Sequence, residues 1–131
     1  MRPALPVLLA LAAAPLAAPA AELEVTVTGA VSAEGEVRVH AWSEGSEAAF
    51  SEMAEPDAAA AAPADPAGVT LALSRLPEAP VALIAWHDED GDGALDRFLG
   101  MWPTEPWAVS NDPEISGPPE FGPAALAPAS W

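Results

Sequence analysis

The chain has 131 residues, with 20 acidic side chains against four Lys or Arg, a formal charge of −16 and no cysteine. That balance excludes nucleic-acid phosphates and anionic lipid surfaces as partners, because both would be repelled, and it favours cations and basic surfaces. A disulfide framework is excluded too, so a small fold must be held by packing or by a bound ion.

Residues 1–20 read as a secretory leader. Arg2 is the n-region charge, residues 5–16 form an apolar h-region interrupted by Pro6 and Pro15, and Ala18-Pro19-Ala20 supplies the small-x-small cleavage site. The apolar stretch is too short and too proline-broken for a membrane span. Removal near Ala21 would leave roughly 110 residues, the size of one domain, in the periplasm or outside the cell.

Apolar and polar residues alternate from residue 23. Leu23, Val25 and Val27 share one face, with Glu24, Thr26 and Thr28 on the other, which predicts a half-buried strand ended by Gly29. Gly35 opens a second strand, with Val37, Val39 and Ala41 on one face and Glu36, Arg38, His40 and Trp42 on the other. The five residues 30–34 between the strands suit a hairpin. Periodicity is lost over residues 43–68, an acidic, Ala/Pro-rich stretch that predicts a flexible loop with a helical turn or two at residues 48–53.

Val69, Leu71 and Leu73 mark a third strand. After the Pro77 to Pro80 turn, residues 81–86 are apolar on both faces, as a central strand covered on both sides requires. Beyond residue 99 prolines and glycines dominate, with short strands expected at residues 107–110 and 124–126. The predicted fold is all-β: one small antiparallel β-sandwich over residues 21–131.

The most informative stretch is residues 88–96, Asp-Glu-Asp-Gly-Asp-Gly-Ala-Leu-Asp. Asp88, Asp90 and Asp92 occupy alternate positions of a D-x-D-x-D-G loop, with Gly93 at the sharp turn. Ala94 would offer its carbonyl, and Asp96 a further carboxylate. Calcium takes six to eight oxygens, and alternate residues of a tight loop can aim theirs at one centre. Position 12, ordinarily a bidentate glutamate, is Leu99, so Glu89 or Glu105 would have to complete the shell. The expected affinity is then weak, around 10⁻⁴ to 10⁻³ M. The competing reading is an acidic turn that binds nothing specifically.

His87 could serve zinc or copper, but a strand-end histidine hydrogen-bonded to the loop carboxylates is the simpler reading, and a structural role is the simpler one for His40 too. No nucleophile elbow, phosphate loop or H-E-x-x-H occurs, so no catalytic residue is expected. Trp102 and Trp107 flank the acidic turn and could stack on a sugar or an apolar partner, or else pack over the end of the sandwich.

From residue 76 onward the chain resembles an exported bacterial family known as domain of unknown function 2141. The resemblance is carried by residues 87–96, then Leu99-Gly100, Pro103-Thr104-Glu105, Val109-Ser110-Asn111 and Gly117-Pro118-Pro119-Glu120-Phe121 followed by Ala124 or Ala125. It implies an immunoglobulin-like or transthyretin-like sandwich with no established activity. The chain departs from the pattern at residues 78–81 and 107–109, and at its end, where the family has a further strand. That departure leads us to expect an open sheet edge to which an envelope or extracellular protein could add a strand.

Overall fold

The computed structural model describes residues 10–15, 22–91, 93, 97–98, 102–103, 106–114 and 117–127. Its elements in order are β1 (Ala10–Pro15), β2 (Leu23–Thr28), β3 (Glu36–Ser43), α1 (Glu47–Ser51), β4 (Ala58–Pro63), β5 (Val69–Leu73), β6 (Val81–Asp88), β7 (Arg97–Phe98), β8 (Trp102–Pro103), β9 (Trp107–Val109) and α2 (Phe121–Ala124). Two antiparallel sheets carry the fold, β1-β2-β5 and β4-β3-β6-β9, and β7 with β8 forms a separate two-stranded ribbon. An all-β sandwich is therefore what the alternating segments build.

The inward faces make an aliphatic core. Leu23, Val25 and Val27 of β2 and Leu71 and Leu73 of β5 pack against Val37, Val39 and Ala41 of β3 and Val81, Leu83 and Ala85 of β6. The period of two that marks these strands in the sequence is the period that sends alternate side chains inward. β6 is buried at every residue, because its other face is covered as well. There Trp42, Ile84, Trp86, Trp107 and Val109 form a second, aromatic cluster under Phe50 of α1 and Ala124 of α2. Phe50 meets Trp42 and Phe121 edge-on, at ring-centroid distances of 5.4 and 6.0 Å, a favoured aromatic geometry.

Three expectations change here. Residues 43–68 do not form one flexible loop. They hold α1, within a residue or two of the expected helical turns, and β4, whose alanines pair with β3 from Ala41↔Ala58 to Glu36↔Pro63. Ala58, Ala60 and Ala62 lean on the aliphatic core while Ala59 and Ala61 are exposed. A run of one small residue carries no apolar–polar contrast, so its alternation is invisible in the sequence. Residues 30–34 are not a hairpin turn either: β2 pairs with β5, whereas β3 pairs with β4 and β6, so the link arches from one sheet to the other. Lastly, Ala124 closes α2, and Leu126 makes only an isolated bridge to Val81.

The segment read as a leader is also placed. Its residues 10–15 form β1, which pairs with the full length of β2, from Ala10↔Thr28 to Pro15↔Leu23.

Candidate functional site

The last two residues of β6 set up the site. His87 continues the inward face and Asp88 the outward one, in register with Val37 and Glu36 of β3. Both side chains are fully buried. The inter-sheet arch closes over them at Gly35, whose φ is +72°. A Cβ there would run into the carbonyl oxygen of Asp88 and the backbone of Glu89, so only glycine admits this approach.

His87 is held on both nitrogens. Nε2 lies 2.7 Å from the carbonyl oxygen of Glu34, and Nδ1 accepts the N–H of Val31 at 3.4 Å. A carbonyl can only accept, so Nε2 carries the proton and the imidazole is neutral. The hydrogen-bonded reading of this histidine holds, with backbone groups of the arch in place of the loop carboxylates as its partners.

Asp88 is held chiefly through Oδ2. Its Oδ2 accepts the Gly93 N–H at 2.8 Å and the Arg38 Nε–H at 2.9 Å. Its Oδ1 is buried without a hydrogen-bond partner among the described residues. Gly91 donates to the Asp88 carbonyl at 3.2 Å, and Gly91 and Gly93 both adopt positive φ, +68° and +80°. The glycines thus fold the loop back so that its first carboxylate receives the sixth residue's N–H. Burial would push the Asp88 carboxyl up, but the Gly93 N–H, Arg38 and Asp90 together hold it below the usual carboxylate range.

Arg38 reaches Asp88 from the outward face of β3, and its Nη2 pairs with Glu36 at 2.5 Å. It brings one fixed cation to a stretch rich in carboxylates. Beyond it lies His40, whose ring sits 4.7 Å from Trp86 and 5.9 Å from Trp42 in edge-on contacts. Burial, and then the charge of Arg38, lower the His40 pKa, partly offset by Glu55.

Of the expected calcium ligands, Asp88, Glu89 and Asp90 are described, and they lie together at the β6 turn. Asp92, Ala94, Asp96 and Glu105 lie outside the described residues. Among the described residues no group of three or more His, Asp or Glu side chains is arranged to hold a metal ion. Trp107, read either as a partner-binding ring or as packing over the end of the sandwich, is buried in the aromatic cluster, because β9 pairs with β6 and continues its covered face. Packing over the sheet wins there; the Trp102 side chain lies outside the described residues.

Some residues that position the site carry little sequence signal. Gly35 reads as an ordinary strand opener and Arg38 as a polar-face residue. Ser110 and Asn111 belong to a block that carries the family resemblance, and they act as a clamp. The Ser110 hydroxyl accepts the Leu83 N–H at 2.9 Å and donates to the Ala124 carbonyl at 2.6 Å. Asn111 Nδ2 donates to the carbonyls of Ala125 and Pro123 at 2.9 and 3.3 Å. Together they tie α2 down on the aromatic face.

The fold and its β6 turn define a small antiparallel β-sandwich with an acidic, glycine-shaped loop at one end. The chain belongs to the family described as an uncharacterized protein conserved in bacteria (DUF2141), whose sequence model matches residues 25–129. Comparison with curated proteins and with solved structures gives no match. Among the described residues no helix is long and apolar enough to cross a membrane.

Proposed function

We propose that this chain is an exported binding module, not an enzyme, and that its loop at residues 88–96 holds a structural calcium ion. The observation that carries the reading is the Asp88 carboxylate. One oxygen is committed to shaping the loop, and the other is buried with no partner among the described residues. A buried carboxylate oxygen without a partner is costly, and a hard cation with carboxylate and carbonyl ligands would satisfy it. The donor set fits: Asp88 and Asp90 sit at the turn, with Asp92, Asp96 and the Ala94 carbonyl following in the chain. When bound, the ion would supply charge neutralisation, drawing the loop carboxylates onto one centre and fixing the segment that leads to β7. Arg38 already offsets part of the loop charge, which agrees with weak affinity. The non-enzymatic reading draws on His87, whose two nitrogens are both engaged by backbone and leave it no free base.

The test is calcium-dependent stabilisation of the wild type and of the Asp88→Ala/Asp92→Ala double variant. The wild type should gain stability with calcium and the variant should not. Equal gains would remove the ion from this loop.

A further inference from the structure

β2 has two neighbours, and one of them is the leader. On one side it pairs with β5, from Leu23↔Leu73 to Val27↔Val69; on the other it pairs with β1 through six residues. β1 also lies across from β9 of the facing sheet, so it closes one side of the space between the sheets. Removing residues 1–20 would take β1 away. The edge thus exposed carries none of the devices that keep edges apart: residues 23–28 contain no proline, no lysine and no inward charge. Leu23, Val25 and Val27 are fully buried with β1 in place and would border an opened core.

We infer that the mature module closes this edge with a second copy of itself, β2 against β2 in antiparallel pairing about a two-fold axis at Val25. The inference rests on the export reading, since it needs the leader removed. The register follows from the strand. Centring the axis on Val25 puts Leu23 opposite Val27 of the second copy and Val25 opposite its equivalent, so all three inward side chains of each copy meet one another and the two apolar faces become continuous. On the solvent face Glu24 then stands opposite Thr26, so no like charges are paired. Centring on Thr26 would leave Leu23 facing Gly29. The module is strongly acidic, so the two copies repel at long range, and added salt should tighten the dimer by screening.

The test begins with the full chain expressed in a host that exports it. Intact mass of the recovered protein is measured first, then light scattering over a concentration series at low and high salt. The expected result is a product beginning near Ala21 that is dimeric at tens of micromolar and more so in salt. Thr26 lies half-buried on the outward face, its hydroxyl 3.3 Å from that of Thr70 on β5, so its variants report the register without touching the core. Thr26→Glu sets like charges opposite Glu24 twice and should weaken the dimer roughly 2- to 30-fold, and Thr26→Lys should strengthen it by a similar factor. Strict monomers at hundreds of micromolar would overturn the inference. Variants that shift the same way would also overturn it, by removing the Val25-centred pairing. A monomer that instead binds a synthetic peptide of residues 9–16 would assign the edge to a foreign strand and overturn the second copy as occupant. A mass that retains residues 10–15 would overturn it through the export reading, which the other results leave standing.

Discussion

His87 and Asp88 end the same strand, are equally buried and point to opposite faces of the same sheet, yet they finish differently. On the inward face the imidazole is closed off by Glu34 and Val31, both from the arch. On the outward face one oxygen of the carboxylate has no partner among the described residues. A group with every polar atom paired can serve as structure alone. A buried group with one atom unpaired costs stability unless something else arrives. The difference between the two neighbours separates the scaffold from the candidate site, and the following variants probe each side of it.

The largest effect should come from Gly35, because it lets the arch reach both residues. Gly35→Ala combines a positive φ with a backbone collision and should cost about 3 kcal/mol or more, read as a drop in urea midpoint. Phe50→Ala should cost a comparable 3–5 kcal/mol or so by emptying the aromatic face. Unlike Gly35→Ala, it should leave any calcium response intact.

Next come the two polar ends. His87→Phe would strand a carbonyl and an N–H of the arch, at a cost of about 1–3 kcal/mol, with calcium dependence unchanged. Arg38→Gln should also destabilise the ion-free protein, by about 1–3 kcal/mol, since it removes the partner of a buried carboxylate. It should at the same time tighten calcium binding, because a competing cation has gone; calorimetric titration of both variants checks the pair. If His87→Phe abolishes the calcium response and Arg38→Gln leaves it alone, the division of labour is reversed.

The smallest effect is on pH. Folded His40 resists protonation, so the unfolded chain takes up the proton first as pH falls below about 6.5. Stability present at pH 7 is therefore lost gradually from there downward. Asp57 and Asp88 have depressed folded pKa values, for which burial is outweighed by N–H and side-chain hydrogen bonds. Their contribution is present above the ordinary carboxylate pKa of 3.8 and is lost as pH falls through it toward the folded values. Urea midpoints at pH 7, 5.5 and 3.5 should fall in that order, and His40→Gln should flatten the first step only.

How far the molecule can be read from its sequence depends on contrast and on distance. β2, β3, β5 and β6 stand out because valine and leucine alternate with charged or hydroxyl residues, or because both faces are apolar. β4 does not, since an alanine run looks the same in a strand as in a coil. The acidic turn is legible because its carboxylates and glycines lie within nine residues. Its partners are not: Arg38 meets Asp88 across 50 positions, and Gly35 reaches the same turn through an arch that no local pattern announces. Trp107 is ambiguous for a similar reason. It sits in an expected short strand within proline-rich text that leaves both an exposed and a packed ring open, and only the pairing of β9 with β6 shows that it lies under cover.

The most direct measurement is thermal unfolding of the exported protein in excess EDTA, in 10 mM calcium and in 10 mM magnesium. For an affinity of 10⁻⁴ to 10⁻³ M, calcium should add about 1.4–2.7 kcal/mol to the folded state. For a domain near 100 residues that raises the midpoint by roughly 6–20 °C, with magnesium well behind. Identical midpoints in all three would contradict the account and leave the unpaired oxygen of Asp88 a structural cost that no ion relieves.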